Sequence, residues 1–288
     1  MIDCIIVGSG LAGISAALTL QSNRKNFMIF GSKNLSEKIE KAEKIHNYPG
    51  LGDVTGKAFV KELQAQLRLA EIEIEEEKVA GVYALKEGFS VLTQSGKQYE
   101  SRAVILACGV ESVKQIEGEE AFLGRGVSYC ATCDGFLYKD KKIAVVCTTK
   151  RLEHEIGYLA EYAKEVWLIP MYKNVEIDKE NVKIIKKMPE KIEGAKRVER
   201  LVFPQKAGED AAQILEVDGV FMLRDTLSPA VLVGGLEMEN GHVAVQRDMR
   251  TNLKGLYAAG DCTGRPYQYT KAAGEGNIAA HSVSEYVK

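Results

Sequence analysis

The chain has 288 residues, of which 45% are hydrophobic and 27% are charged, and its formal net charge at pH 7 is −2. This composition is typical of an α/β protein with a core large enough for one or two domains. The near-zero charge gives no general attraction to nucleic acid or to an anionic membrane. Six cysteines are too few for a disulfide framework, and no cleavable leader precedes the first strand, so we expect a cytoplasmic protein.

The first hundred residues alternate between strand and helix patterns. An apolar run at 2–7 and a glycine-rich turn precede a helical pattern at 12–22, and a second apolar run at 27–30 completes a βαβ unit. Residues 57–70 have the spacing of an amphipathic helix. The segment 72–106 is strand-like, and its glycines predict two hairpins, at Gly88 and at Ser95–Gly96.

The second half of the chain contains another frame of the same kind. The polar segment 110–128 predicts a crossing into a second domain. A new strand pattern starts at Ile143, a helical stretch follows, and from about residue 229 the composition returns to that of the first domain. The sequence therefore predicts an α/β fold with two Rossmann-like domains, the second inserted into the first. The outer domain is expected at residues 1–112 and 229–288, and the inserted domain at residues 113–228.

The turn after the first strand has the G-x-G-x-x-G spacing of a dinucleotide-binding site. Its glycines permit a tight turn, close approach of a pyrophosphate, and close packing of the helix on the strand. The acid that usually ends the second strand and holds the ribose is missing, so Ser32 or backbone must replace it. A packing turn without a ligand is the alternative. The residues predicted to bind are Gly8, Ser9, Gly10, Leu11, Ala12, Gly13, Gly31 and Ser32.

A second candidate cofactor segment lies near the C-terminus. Residues 255–261 read GLYAAGD, a short strand pattern that ends in Gly260 and Asp261. We expect Asp261 to face the ribityl chain and phosphate of a flavin. The helix that follows would direct its free N–H groups towards the same ligand. This arrangement favours FAD as the dinucleotide.

With these segments the sequence resembles the low-molecular-weight thioredoxin reductases, FAD proteins of the pyridine-nucleotide-disulfide class. The resemblance implies FAD in the first domain, redox cysteines in the second, a thioredoxin-like partner and a homodimer. The matching segments are GSGLAG (8–13), HNYPGL (46–51), VILACG (104–109), GRGVSYCATCDG (124–135), MRTNLKGLYAAGDC (249–262) and AAGEGNIAA (272–280). The further residues expected at the FAD are Asn47, Ala107, Gly109, Gly260, Asp261, Tyr267, Gln268 and Tyr269. A tyrosine in 267–269 either stacks on the flavin or simply packs.

Cys130 and Cys133 are the one closely spaced cysteine pair. Such a pair closes a small disulfide ring, and one thiol attacks a partner disulfide while the other resolves the mixed disulfide. A zinc site would need two further ligands at workable spacing, and only Cys147 is available, so we predict no metal. A helix N-terminus after the pair would lower the pKa of one thiol.

Asp134 follows the pair and is placed either to move a proton to or from a thiolate or to fill a turn before Gly135. The family resemblance implies specific roles for these three residues. It makes Cys133 the thiol that contacts the flavin, Cys130 the thiol that attacks the partner, and Asp134 the general acid.

The turn of the second frame lacks glycine. After the strand it reads CTTKRL (147–152), and its β-branched threonines oppose both a tight turn and the close approach of a pyrophosphate. The next strand is followed by PMY (170–172), without the arginine that usually grips the 2′-phosphate of NADPH. Because two requirements fail together, we expect that NADPH does not bind at this place.

The absence of an expected nicotinamide site limits which molecules can donate electrons to the flavin. An iron–sulfur protein needs only to dock near the flavin edge, whereas a nicotinamide must stack on the flavin to give a hydride. This pattern resembles the ferredoxin-dependent flavin thioredoxin reductases, which implies electron flow from ferredoxin through FAD and the cysteine pair to thioredoxin or a similar protein disulfide. The alternatives are an NADPH-dependent thioredoxin reductase with an atypical cofactor grip, a diflavin-linked disulfide oxidoreductase, and a non-catalytic flavin redox sensor.

Ferredoxins are acidic, so a basic docking face would help a donor of this kind. Two lysine-rich clusters occur in the predicted inserted domain, at 139–151 and at 183–200. Each is either such a face or a set of solvated strand edges protected by lysine.

Overall fold

The computed structural model describes residues 1–110, 116–205, 213–224 and 228–288. The chain divides into two compact units, which we call unit 1 (residues 1–110 and 226–288) and unit 2 (residues 111–225). The fold is α/β, and the main sheet is parallel in unit 2 and mixed in unit 1, where β4 and β5 run antiparallel to their neighbours. The domain boundary predicted at 112/113 lies outside the described residues. In the part of the chain that the structure describes, no helix is long and apolar enough to cross a membrane.

The elements of the first 110 residues follow the predicted order. The first βαβ unit, the amphipathic helix and the two hairpins are confirmed, and one short helix near residue 37 was not predicted. The elements are β1 Ile2–Val7, α1 Leu11–Ser22, β2 Phe27–Phe30, α2 Glu37–Glu40, α3 Gly56–Leu69, β3 Ile74–Glu75, β4 Val79–Ala84, β5 Phe89–Thr93 and β6 Gln98–Leu106.

The remaining elements belong to unit 2 and to the returning part of unit 1. Unit 2 contains β7 Val127–Ser128, α4 Ala131–Asp134, β8 Lys142–Cys147, α5 Glu153–Tyr162, β9 Glu165–Pro170, β10 Val182–Ile184, β11 Lys191–Glu193, β12 Arg200–Val202, β13 Ile214–Glu216 and β14 Gly219–Leu223. Unit 1 then resumes with α6 Pro229–Leu232, β15 Met238–Glu239, β16 His242–Val243, β17 Leu256–Ala258 and α7 Tyr269–Tyr286.

The sheet of unit 1 brings four parallel strand ends to one edge. Its strand order is β3-β2-β1-β6-β5-β4, and β17 also pairs with the C-terminal half of β6. Val7 lies opposite both Phe30 and Leu106, and Leu106 lies opposite Ala258. In such sheets ligands bind beyond the carboxyl ends of the strands, so this edge is where the glycine-rich turns must act.

The core of unit 1 explains why its helices form where they do. The residues of α3 at helical spacing, Phe59, Leu63 and Leu67, are buried on one face, as the sequence predicted. Each such side chain stabilises the fold by about 1.5–3 kcal/mol on burial. α1 is apolar on nearly every side because it lies inside the unit and packs closely against α7.

Unit 2 has a five-stranded parallel sheet in the order β10-β9-β8-β14-β7 and a three-stranded antiparallel sheet, β11-β12-β13. Its core consists of the apolar residues of β8, β9 and β14 packed against α5. β7 pairs with β14 and ends at Ser128, two residues before Cys130. The parallel sheet of unit 2 therefore carries the cysteine pair at the carboxyl end of an edge strand.

Candidate active site

The turn between β1 and α1 has the close contacts that its glycines require. A Cβ atom on Gly8, which has φ of +117°, would lie 2.3 Å from the carbonyl oxygen of Ala107. A Cβ atom on Gly13 would lie 1.9 Å from the carbonyl oxygen of Gly8. At Gly10, by contrast, nothing lies within 4 Å of the Cβ position. The turn thus packs tightly against the protein at Gly8 and Gly13 and is open at Gly10. An open side of this kind leaves room for a pyrophosphate.

The N-terminus of α1 is suited to an anion. It has no side-chain cap and no acidic residue in its first turn, so its free N–H groups and positive dipole end are available. The neighbouring serines are tied to each other: Ser9 Oγ accepts a hydrogen bond from the Ser32 N–H (2.8 Å). The Ser32 hydroxyl in turn accepts from the Asn34 N–H (3.1 Å). The structure therefore places Ser9, Gly31 and Ser32 together beside the turn.

A network that sequence reasoning missed shapes the turn at Gly260 and Asp261. The Lys271 ammonium donates to the carbonyl oxygens of Gly260 (2.7 Å) and Gly264 (2.8 Å) and forms an ion pair with Glu275 (3.1 Å). Glu275 Oε2 also accepts from the Gly260 N–H (2.9 Å). Burial raises the pKa of Asp261, and the ammonium groups of Lys38 and Lys271 oppose that effect. An i,i+4 Lys–Glu pair usually indicates only a solvated helix face, so this role could hardly be predicted from the residue pattern.

The three residues 267–269 have separate surroundings. Tyr269 is half-buried, and its ring lies edge-on to that of Phe59 with 6.3 Å between the centroids. Gln268 Oε1 accepts from the amide of Asn47 (2.9 Å), so two residues predicted at the cofactor are brought together. The Tyr267 hydroxyl forms a 2.6 Å hydrogen bond with His242 Nε2. Tyr267, Gln268 and Tyr269 therefore all remain predicted cofactor contacts, with Tyr269 also packed against Phe59.

Cys130 and Cys133 form a disulfide in unit 2, with their Cα atoms 5.3 Å apart. The predicted position of the neighbouring helix was wrong: α4 begins at Ala131, inside the pair, rather than after it. The reason is that Cys130 itself acts as the N-cap, and its Sγ accepts a hydrogen bond from the Cys133 N–H (3.2 Å). Asp134 is the last residue of this short helix, and its backbone N–H donates to the Cys130 carbonyl (3.3 Å).

The turn of the second frame is built differently from that of the first. A 3-10 turn, Lys150–Leu152, fills the connection between β8 and α5, and α5 has Glu153 and Glu155 in its first turn. Two carboxylates therefore lie at the helix N-terminus where a pyrophosphate would need positive potential. Burial raises the pKa of the Cys147 thiol to about 11, which keeps this thiol protonated and inert near neutral pH.

The open glycine turn, the anion-binding helix end and the cysteine pair are features of one known family. Residues 2–148 and 169–276 match the family described as pyridine nucleotide-disulphide oxidoreductase. The chain belongs to this family.

Similar proteins and structures agree with this membership. A thioredoxin reductase of Helicobacter pylori is 34% identical over 310 residues, covering 100% of this chain and 99% of that protein. Another from Listeria monocytogenes is 31% identical, covering 99% and 94%. Among solved structures, a ferredoxin-flavin thioredoxin reductase from Clostridium acetobutylicum matches with 43% identity and a TM-score of 0.89, covering 99% of this chain and 97% of that one. A thioredoxin reductase from Gloeobacter violaceus matches with 29% identity and a TM-score of 0.76, covering 99% and 93%.

The chain is therefore a flavin-dependent disulfide oxidoreductase of the thioredoxin reductase type, with FAD as its cofactor. The residues present fit this cofactor, since the turn at Gly10 is open and the N-terminus of α1 is free of acidic side chains. FAD supplies an acceptor that takes up electrons and passes a pair of them to a disulfide. Within the described ranges, no group of three or more His, Cys, Asp or Glu side chains is arranged to hold a metal ion.

Replacing Lys271 with methionine is expected to weaken FAD binding about tenfold, or ~1.4 kcal/mol. The reason is that the ammonium holds the Gly260–Gly264 turn through two carbonyl oxygens and the Glu275 carboxylate. The measurement is the dissociation constant of FAD from refolded apo-protein, followed by flavin fluorescence. Lys61→Met, at an exposed position of α3, is the matched control. Equal affinities of parent and Lys271→Met would show that the network does not support the cofactor.

Proposed function

We propose that this flavoenzyme reduces the disulfide of thioredoxin, or of a similar protein, with electrons from reduced ferredoxin rather than from NADPH. Electrons enter at FAD, pass to the Cys130–Cys133 disulfide, and leave with the partner protein. The contrast between the two βα turns of one chain carries this proposal. The first turn is open and its helix has no acid in the first turn, whereas the second is filled and its helix has two carboxylates in the first turn.

The contacts of the second turn argue against a nucleotide at this place. Glu153 accepts the backbone N–H of Glu176 (3.2 Å), and Lys150 forms an ion pair with Glu176. Glu155 is 4% exposed, so its carboxylate is buried in the first turn of α5. A pyrophosphate would have to displace these contacts and approach two negative charges without any glycine turn. The similarity to a ferredoxin-flavin thioredoxin reductase structure supports the same donor.

In this proposal the two cysteines have different tasks. Cys130 attacks the partner disulfide, and Cys133 then resolves the mixed disulfide and receives electrons from FAD. The Cys133 N–H that points at Cys130 Sγ (3.2 Å) would stabilise a Cys130 thiolate, which is the form that attacks. Asp134 moves the proton that the thiol chemistry releases or consumes.

Some basic residues of the lysine-rich clusters of unit 2 form ion pairs with carboxylates, as Lys150 of the first cluster does with Glu176. Lys183 contacts Glu165 (3.2 Å), Lys191 contacts Glu117 (3.1 Å), and Arg200 contacts Glu193 (2.9 Å). These local ion pairs reduce the positive field that either cluster presents to an acidic ferredoxin. The proposed donor therefore rests on the two turns and on the structural similarity, and not on these clusters.

Two exposed apolar residues next to the disulfide are candidates for contact with the partner protein. Phe136 and Leu137 are 57% and 53% exposed in the turn that follows α4. Replacing both with serine is expected to raise the KM for thioredoxin at least about thirtyfold, because burial of each side chain in a complex contributes ~1–3 kcal/mol, and to leave kcat largely unchanged. Initial rates at several thioredoxin concentrations measure this effect.

Leu69 provides a control for that experiment, because it is 87% exposed and lies on α3 of unit 1. Leu69→Ser is expected to leave the KM for thioredoxin unchanged. An unchanged KM in the Phe136→Ser and Leu137→Ser double variant would mean that the partner docks elsewhere.

An anaerobic titration tests the donor. NADPH, NADH and reduced ferredoxin are added to separate samples of the flavin-loaded protein, and the flavin absorbance near its visible maximum is followed. Reduced ferredoxin is expected to bleach the flavin within the mixing time, and the two nicotinamides to leave it oxidised. Rapid bleaching by NADPH would contradict the proposal and favour an NADPH-dependent enzyme with an atypical cofactor grip.

A further inference from the structure

Unit 2 contains a buried ion pair, Arg224–Glu119, close in the chain and sheet to the redox disulfide. The Glu119 side chain is fully buried and that of Arg224 is 2% exposed, and Arg224 Nη2 donates to Glu119 Oε2 over 2.8 Å. The same oxygen accepts from the Ile116 backbone N–H (2.9 Å). The other carboxylate oxygen accepts from the Tyr129 hydroxyl (2.5 Å). Glu119 thus joins three separate parts of unit 2 inside the core.

The position of this cluster in the sheet connects it to the cysteines. Tyr129 directly follows β7 and Arg224 directly follows β14, and the two strands are neighbours in the parallel sheet. The Arg224 guanidinium also lies 6.0 Å from the centre of the Tyr129 ring, within the range of a cation–π contact. The residue after Tyr129 is Cys130, so a shift of the Tyr129 backbone also moves the Cys130 sulfur.

A buried charge pair needs a reason, because apolar residues of similar volume often stabilise a core as well or better. The placement of Cys130 explains the buried Glu119–Arg224 pair better than the stability of the core does. Cys130 is the N-cap of α4, its Sγ accepts from the Cys133 N–H, and it lies two residues after the end of β7. The Cys130 backbone N–H is also held by Ser128 Oγ (3.1 Å), which belongs to the same strand end.

We propose that Glu119, Tyr129 and Arg224, here called the buried clamp, are positioning residues that fix Cys130 for thiol–disulfide exchange. The clamp holds the carboxyl ends of β7 and β14 together, and so keeps Cys130 Sγ in reach of the Cys133 N–H. That hydrogen bond stabilises the Cys130 thiolate once the disulfide opens. The buried clamp would position Cys130 in the same way whether ferredoxin or NADPH reduces the flavin.

The exchange equilibrium with dithiothreitol measures the stabilisation of the Cys130 thiolate directly. It requires neither ferredoxin nor NADPH. One dithiothreitol gives up two electrons and two protons and becomes a cyclic disulfide, while the Cys130–Cys133 bond opens to two thiols. A better stabilised Cys130 thiolate shifts this equilibrium towards the reduced enzyme. The full flavin-loaded chain is equilibrated at pH 7 with mixtures of reduced and oxidised dithiothreitol, and the free thiols are alkylated and counted by mass.

Tyr129→Phe is the sharpest variant, because it removes one hydroxyl and keeps the ring. We expect it to shift the exchange equilibrium about tenfold towards the disulfide and to slow alkylation of Cys130 by iodoacetamide by a similar factor, as for the loss of a charge-assisted hydrogen bond. Arg200→Met is the control, since it breaks the exposed Arg200–Glu193 pair (2.9 Å) in the same unit and is expected to shift neither quantity.

A double variant separates position from stability. Glu119→Gln or Arg224→Met alone leaves a buried charge without its partner and is expected to lower the Tm strongly, whereas the two together remove both charges and recover much of the loss. We expect the double variant to keep the shifted exchange equilibrium in spite of its recovered Tm. Parent values of the equilibrium and the alkylation rate in both Tyr129→Phe and the double variant would overturn the proposal and leave the clamp a structural element only.

Discussion

Replacing Cys133 with serine is expected to lower the reduction of protein disulfides by at least about a thousandfold, the scale of loss when one member of a catalytic unit is removed. FAD should stay bound, because the residues predicted to bind it all lie in unit 1 and Cys133 lies in unit 2. The remaining Cys130 thiol still attacks a partner disulfide, but no second thiol resolves the product. The variant should therefore accumulate a covalent complex with thioredoxin, visible on a non-reducing gel.

The reverse variant distinguishes the two cysteines. Cys130→Ser is expected to be equally inactive and to form no such complex, because the proposed attacking thiol is gone. Cys147→Ser serves as the control, since that thiol is buried, donates to the Thr149 carbonyl (3.2 Å) and lies outside the pair. Trapping of thioredoxin by Cys130→Ser instead of Cys133→Ser would show that the assigned roles are reversed.

The glycine turn of unit 1 gives the second large effect. Gly13→Ala is expected to destabilise the protein by about 3 kcal/mol and to abolish FAD binding, because the new Cβ would lie 1.9 Å from the Gly8 carbonyl oxygen. Gly10→Ala should keep the fold, because nothing lies within 4 Å of its Cβ position. The added methyl group nevertheless enters the space where a pyrophosphate would approach, so FAD affinity should fall about tenfold or more.

Thermal unfolding and FAD titration of the apo-proteins measure these two effects separately. Gly274→Ala is the matched control, since this position in α7 is also free of neighbours within 4 Å of its Cβ position. Parent affinity in Gly10→Ala would show that the open side of the turn is not the pyrophosphate site.

The elements that local sequence determines were predictable. The βαβ unit at the N-terminus and the apolar face of α3 follow from residue spacing, because each strand or helix buries its own periodic set of side chains. The same holds for the strand–helix–strand order of the second frame, whereas the unsuitability of its glycine-free turn (147–152) for a dinucleotide stays a prediction. These predictions needed only neighbours in sequence.

The features that depend on distant residues were not predictable in the same way. Lys271 reaches back to Gly260 only because α7 folds against the turn, and Glu119 meets Arg224 across 105 positions of sequence. The start of α4 inside the cysteine pair depends on Cys130 acting as its own cap, a role usually taken by Ser, Thr, Asp or Asn. In each case tertiary contacts decide the role of a residue whose sequence context looks ordinary.

The choice of electron donor is the central claim, and turnover tests it most directly. Purified protein is supplied under anaerobic conditions with thioredoxin and either reduced ferredoxin or NADPH, and the newly formed thioredoxin thiols are counted over time. The account predicts many turnovers per enzyme with ferredoxin and none above background with NADPH. Sustained thioredoxin reduction with NADPH alone, or no turnover with reduced ferredoxin, would contradict it.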